Sequence, residues 1–349
     1  MRRQSALHVV AVNYGLLPGA VVNARLLRAS SRGVAVPVAS VVSPLSEVRV
    51  LAQQSGESSV LWEGEGRDPD RAPDLVPFGK DGLLCLVPGG CLMRVALHKG
   101  VARTEELKTD SGLPGRIFAV ADAVYGIFEA KSGARVARLR AGSGTVAAGR
   151  TQALPQMDGS SRISGLTLDA RGRMVLTADN DVTGFQLWRQ DEAVGWVHLI
   201  TDGAARYGFN AAVHDLTAWG NMVALAAGSG RVVQERMFGL QMKSEILVLT
   251  DDGGYHILCG EARTSTSGLR VPLAGVANAA ARDVGTNIKL VVDGDRLIAA
   301  MQCDETAARI YRVAPTFKIS APDDIEGVVG GFDVRPKNDG KVSVIVFKQ

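Results

Sequence analysis

One pattern constrains this chain more than any other. A glycine-bearing turn, usually with Asp, Asn or Arg, is followed by four to six apolar residues, and the unit recurs along the whole length. It appears at Arg32-Gly33, Asp81-Gly82, Arg171-Gly172, Gly220-Asn221, Gly294-Asp295 and Asp339-Gly340, with a weaker instance at Ala121-Asp122 where the turn lacks glycine. Most anchors lie about 40–50 residues apart, the period expected of a propeller blade. The interval from 220 to 294 is longer and implies an insertion.

The runs themselves, such as 8–12, 34–38 and 341–347, are rich in β-branched residues and bounded by Gly, Asp, Asn or Ser, so they read as strands. No stretch of helical length carries both a 3.6-residue period and caps; at most one helical turn is expected within 236–246. The fold class is therefore all-β. The even spacing favours a β-propeller of seven four-stranded blades, with six as the alternative. A four-stranded sheet cannot bury both faces alone, and stacking consecutive sheets solves that problem. Outer strand pairs are expected at 184–189 with 195–200, 244–249 with 254–259, and 308–313 with 316–319. The last unit, 328–335 and 341–347, ends early, so His8–Val12 is expected to pair with it and tie the termini together. The domain reading is one propeller over 1–349, with an insertion in the fifth blade region at 229–243 and 261–284.

Composition narrows the function. The chain is 46% hydrophobic with a formal net charge of +3. That content is too high for a disordered chain, and the charge is too balanced for binding nucleic acid by phosphate neutralisation. No apolar run reaches the roughly 18 residues that span a bilayer, so no membrane partner is expected. Aromatic residues are 5% of the chain, which leaves few to stack on sugars. Four scattered cysteines, Cys85, Cys91, Cys259 and Cys303, form no CxxC pair and suit a reducing compartment. Cys85 and Cys91 flank a hairpin turn at Pro88-Gly89-Gly90. The short apolar stretch after Arg2 and Arg3 is broken by His8 and Asn13, so it reads as a strand rather than a leader. The expected location is the cytoplasm, with export as the alternative.

Residues 176–313 carry a more specific likeness. Thr177-Ala-Asp-Asn180 with Gly184-Phe-Gln-Leu-Trp-Arg189, then Trp196, Asp202-Gly203 and Asn210, resembles a segment of functionally unassigned bacterial β-propeller repeat proteins. So do Ser244–Val248, Asp251-Asp-Gly253, Arg270–Gly275 and Asp293–Ile298. The resemblance implies the fold and supplies no reaction. The chain departs from it at Gly254-Tyr-His-Ile-Leu258, where a Trp is usual.

Candidate chemistry is sparse. Tyr207, Asn210 and His214 precede or open an inner strand and are the catalytic candidates, with His214 as a general base. Alternation along a strand is expected to send His214 and Asp215 to opposite faces. Arg231 and Arg282 are the candidate ligand-binding residues, able to hold a small anionic ligand at a channel mouth. They belong to a basic stretch with Arg236, Lys243, Arg263 and Arg270. Asp179 and Asp181 open a run of alternating oxygens like the start of a calcium loop, but position twelve is Gln190 instead of a bidentate Glu, so the run reads as a polar turn and no metal is expected. His98, His198 and His256 fall on strands without ligand spacing. Ser5, Ser143 and Ser164 lie in no nucleophile elbow, and no phosphate loop or dinucleotide fingerprint occurs. No cofactor is expected. The leading reading is a non-catalytic binding or assembly module, a subunit of a bacterial multiprotein complex with a protein partner. A hydrolase or lyase with its site at the channel mouth is the alternative.

Overall fold

The computed structural model describes residues 7–13, 21–28, 35–43, 45, 47–66, 71–79, 81–129, 133–142, 144–157, 161–180, 183–200, 212–228, 240–251, 255–266, 269–271, 288–302, 307–320, 323–326, 332–336 and 342–348. Every regular element among them is a strand, so the protein is all-β. The strands form seven sheets.

After β1 (Leu7–Asn13) come β2 (Val21–Arg28), β3 (Ala35–Val42), β4 (Glu47–Gln54) and β5 (Glu57–Glu65), one sheet in chain order. A second sheet is β6 (Asp74–Pro77), β7 (Gly82–Leu86), β8 (Leu92–His98) and β9 (Val101–Glu106). The third contains β10 (Lys108–Thr109), β11 (Arg116–Val120), β12 (Ala123–Phe128), β13 (Arg135–Ala141) and β14 (Thr145–Ala153), with β10 parallel to β14 at its edge. Then follow β15 (Arg162–Leu168), β16 (Met174–Asn180), β17 (Gly184–Asp191) and β18 (Gly195–Ile200). The fifth sheet is β19 (Ala212–Trp219), β20 (Met222–Gly228), β21 (Leu240–Leu249), β22 (Tyr255–Thr266) and β23 (Leu269–Val271). The sixth is β24 (Ile288–Asp293), β25 (Arg296–Gln302), β26 (Ala307–Val313) and β27 (Asp323–Glu326). Last come β28 (Phe332–Pro336) and β29 (Val342–Lys348), in a three-stranded sheet ordered β1-β29-β28. The N-terminal strand thus pairs with the C-terminal one, as the early end of the last unit led us to expect.

The chain divides into two compact units. Met157–Val329, with Met1–Val9 and Val334–Val344, makes one. Val10–Gln156, with Gly330–Asp333 and Ile345–Gln349, makes the other.

Apart from the edge strands β1 and β10, consecutive strands pair as meanders, and many of the hairpin turns between them are short and locally encoded. At the turn anchors Gly172, Gly220 and Gly294, φ is 76°, 59° and 62°, the region open to glycine without a Cβ clash. Where the anchor lacks glycine, Ala121 adopts the same conformation with φ 53°. Central strands are buried on both faces: all of β7, Gly-Leu-Leu-Cys-Leu, is buried. Outer strands are polar, as in β5. Within each unit the apolar clusters draw on two consecutive sheets. Val38, Val50, Leu75 and Val95 form one, and Leu84, Ile117, Val124 and Val146 another. In the other unit, Val175, Phe185, Val213 and Leu247 join the fourth sheet to the fifth, while Ala226, Val248, Leu290 and Leu297 join the fifth to the sixth. Consecutive sheets therefore pack face to face, and their first strands lie against one another, β15 on β19 and β19 on β24.

Some boundaries differ from those read in the sequence. Residues 240–246 are strand, where one helical turn within 236–246 was expected. Of the expected insertion, 240–243 and 261–266 extend β21 and β22 into one long hairpin, and 269–271 add β23; the rest lies outside the described residues. The outer partner of β26 is β27, whereas 316–319 make only an isolated bridge from Ile319 to Val313. The pairs β17 with β18 and β21 with β22 form as expected. Cys85 and Cys91 flank a hairpin closed by Val87 N–H to the Cys91 carbonyl at 3.0 Å, and both thiols are free.

Candidate functional site

The polar chemistry of the unit containing Met157–Val329 gathers on the first strands of its sheets. Two of these strands are irregular at the same place. On β15, Ile163 opposes Ala178 and Gly165 opposes Thr177, so Ser164 is an extra, bulged residue. On β19, Val213 opposes Ala227 and Asp215 opposes Ala226, so His214 is the extra residue. A bulge adds one residue without a partner and re-aims the side chains around it. The two stretches align residue by residue, Ile163-Ser-Gly-Leu-Thr167 with Val213-His-Asp-Leu-Thr217.

The bulge makes Val213 and Asp215, two residues apart, address opposite neighbours. Val213 packs into the cluster shared with the fourth sheet. Asp215, two residues on, turns to the sixth sheet instead, where its Oδ2 accepts the Leu290 N–H at 2.8 Å. Its Oδ1 accepts the Leu216 N–H at 2.9 Å. His214 feels the Lys289 ammonium on β24 as well.

Ser164 is well satisfied. Its hydroxyl donates to Asp179 Oδ1 at 2.9 Å and lies 3.1 Å from Thr177 Oγ1. The same Asp179 oxygen accepts the Val213 N–H at 3.2 Å and so links the fourth sheet to the fifth. Next to Ser164, a Cβ on Gly165 would stand 2.5 Å from Thr177 Oγ1 and 3.2 Å from Leu216 Cβ, so only glycine allows this approach of β15 to β19.

His214 has no such support. Through the register, Thr177 corresponds to Ala226 and Asp179 to Gly228. The half-buried ring keeps a buried Nε2 with no hydrogen-bond partner. Burial, with a smaller contribution from Lys289, lowers its pKa to about 4. The imidazole is neutral at pH 7.

The remaining candidates separate. Tyr207, Asn210, Asp181, Arg231 and Arg282 lie outside the described residues, as does Arg236, and the side chains of Lys243, Arg263 and Arg270 are likewise not described. Asp179 acts as the inter-sheet link just described. In the turn after it, Asn180 Oδ1 accepts the Thr183 N–H at 3.1 Å, the capping expected of a polar turn. Among the described residues, no group of three or more His, Cys, Asp or Glu side chains could hold a metal ion, and no helix is long and apolar enough to cross a membrane. His198 stacks on Trp188 with ring centroids 3.5 Å apart, and burial lowers its pKa.

The role of Asp74 was not visible in the sequence. It is buried on β6, and its Oδ2 accepts the Ile117 N–H at 3.0 Å, Arg116 Nε at 3.1 Å and an Arg71 guanidinium nitrogen at 2.7 Å. It repeats in one unit what Asp215 does in the other: a first-strand carboxylate that accepts an amide from the next sheet's first strand. The inter-sheet role of Asp215 and the bulge at Ser164 were likewise not read from the residues. The alignment of 163–167 with 213–217 was the signal that could have found both.

No protein-family model matches the chain, and no curated protein matches it. Solved structures show distant likenesses. A fucose-specific lectin from Aleuria aurantia is 12% identical, with a TM-score of 0.45 over 92% of this chain and 98% of its own. The Nup133 β-propeller domain of Vanderwaltozyma polyspora is 11% identical, with a TM-score of 0.43 over 95% of each. A Bacteroides uniformis protein, provisionally described as a 6-phosphogluconolactonase, is 15% identical, with a TM-score of 0.45 over 91% of this chain and 86% of its own. None of these likenesses bears on what the chain binds or does.

Proposed function

We propose that the chain is a non-catalytic binding or assembly module, built as a seven-bladed β-propeller and acting in the cytoplasm as a subunit of a multiprotein complex. Each sheet supplies one blade, and the pairing of β1 with β29 supports a seam that joins the two termini. The arrangement of meandering sheets with neighbouring first strands supports the propeller. The resemblance of 176–313 to unassigned bacterial propeller repeats points the same way.

One observation favours binding over catalysis. Two carboxylates that contact strand β19 are occupied in holding the fold: Asp179 takes Val213 N–H, and Asp215 takes Leu216 and Leu290 N–H. His214 Nε2 has no hydrogen-bond partner, and burial lowers the pKa of the ring to about 4. An effective general base has a pKa near the working pH and a group that fixes its tautomer. A neutral, unpaired imidazole is better suited to recognition.

The test is co-purification of the tagged full chain from its native cells after mild crosslinking, with the mass of the eluted species measured by light scattering. A stoichiometric protein companion is expected. Elution at the mass of the chain alone, with no companion recovered, overturns the reading.

A further inference from the structure

The charge of the chain is balanced in total and uneven along its length. Residues 130–157 include Lys131, Arg135, Arg138, Arg140 and Arg150, and no Asp or Glu. Strands β13 and β14, the last two of the third sheet, lie in this stretch. Three of the arginines share a face. Leu139 packs into the apolar cluster between the second and third sheets, so Arg138 and Arg140 on either side of it turn away from that cluster. Ala137 pairs with Thr151 and Leu139 with Ala148, so β14 is bulged and two residues, Gly149 and Arg150, stand opposite Arg138. Ala148 and Thr151 lie on the face of Leu139 and Ala137, and alternation from each turns both Gly149 and Arg150 to the face of Arg138. The Arg140 side chain reaches toward them: its Nε lies 4.0 Å from where a Cβ on Gly149 would stand. All three arginines are exposed, and among the described residues none of them meets an acid or a hydrogen-bond acceptor. Elsewhere in the described chain Arg49, Arg116, Arg173 and Arg312 are each paired with a carboxylate.

We propose that Arg138, Arg140 and Arg150 form a docking surface for an acidic segment of a protein partner. This gives the partner of the binding module its chemistry and rests on that reading. Guanidinium groups pair with carboxylates through forked, charge-assisted hydrogen bonds. The bulge gathers three of these groups on one sheet face, with the bare backbone of Gly149 between them. Side chains on one side of an extended segment recur about every 7 Å, the spacing of alternate strand residues such as Arg138 and Arg140. An acidic segment is favoured over nucleic acid, because three arginines on a chain of formal net charge +3 neutralise only about three phosphates.

The experiment follows fluorescein-labelled hexaglutamate by fluorescence anisotropy as the full chain is added at pH 7 and low ionic strength. Labelled hexalysine and a labelled short DNA duplex are measured beside it. Saturable binding of hexaglutamate is expected, weakening as salt is added, with none of hexalysine. Arg138→Gln, Arg140→Gln and Arg150→Gln should each bind about threefold more weakly, and the triple variant about tenfold or worse. Arg94→Gln, which alters an exposed arginine of β8, should bind as the wild type does. The altered side chains are exposed, so all variants should melt where the wild type melts. Absence of saturable hexaglutamate binding overturns the surface, as does equal affinity in the folded triple variant. Tighter binding of the duplex than of the peptide overturns the protein-borne source. A companion that still co-purifies with the folded triple variant leaves the module reading standing and removes this inference alone.

Discussion

The first strands β15 and β19 carry the same bulge and end differently. In β15 the displaced residue is a serine whose hydroxyl meets Asp179 and Thr177 of its own sheet. In β19 it is a histidine whose Nε2 meets nothing. The backbone device is shared, so the difference lies in the residues underneath, Thr177 and Asp179 in one sheet against Ala226 and Gly228 in the next. The lesson concerns how a repeat gains a site. A bulge presents a side chain, and the strand beside it decides whether that side chain finds a hydrogen-bond partner. The other unit offers a further contrast: β6 pairs with β7 and β11 with β12 without a register shift, and Asp74 there is committed to Ile117, Arg71 and Arg116.

The largest effect is expected at that regular strand. Asp74→Ala removes the buried acceptor of the Ile117 N–H and of two guanidinium groups, and should cost about 3 kcal/mol. Calorimetric unfolding should show one transition move down while the bulged strands keep their NMR signature. A loss below about 1 kcal/mol would mean that the buried carboxylate contributes no more than a surface pair.

Next comes the pH dependence of the bulged histidine. Its folded pKa of about 4 lies below the ordinary 6.5. Between these values the unfolded chain binds more protons than the folded one, so stability falls as pH drops from 6.5 toward 4. The loss is fully developed below the folded pKa and amounts to on the order of 2 kcal/mol after allowance for the exposed part of the ring. Carboxylates titrate in the same range, so the quantity to read is the difference between the wild type and His214→Leu. That variant should lack this part of the slope.

A smaller effect separates the two bulges by sign. Ser164→Ala removes a hydrogen bond to a carboxylate and should destabilise by about 1 kcal/mol. His214→Leu removes an unpaired polar atom from a desolvated place and should be neutral or stabilising by up to about 1 kcal/mol at pH 7. Denaturant midpoints measured in parallel check both. Destabilisation of similar size in the two variants would show that His214 is a packing residue like any other.

The smallest effect concerns the anchor without glycine. Ala121 holds φ 53°, a conformation glycine adopts without steric cost. Ala121→Gly should stabilise by up to about 1 kcal/mol, after allowance for the greater freedom of glycine in the unfolded chain. An unchanged melting temperature would mean that the turn already relaxes around the Cβ.

Much of this was legible in the residues. The alternation of turn anchors and apolar runs implied an all-β chain of repeated hairpins, because short runs bounded by Gly, Asp and Asn have few other ways to satisfy their backbones. His8–Val12 was expected to pair with the final strand, and β1 does pair with β29. His214 stood out because it opens an inner strand. What stayed hidden was the role of Asp74, Asp179 and Asp215. A carboxylate that accepts an amide from another sheet depends on a partner some 34 to 75 positions away in sequence, and nothing in the local pattern marks it.

By itself, then, the sequence determined the strand class, the approximate period and the positions of the turns, since these follow from local propensity and from φ at particular residues. Only the tertiary structure decided which residues matter at the first strands. Inserting one residue into a β ladder does not alter composition or periodicity enough to be read. It nevertheless reverses which face the following side chains address. That reversal carries Asp215 to the Leu290 amide beside a His214 whose Nε2 has no hydrogen-bond partner.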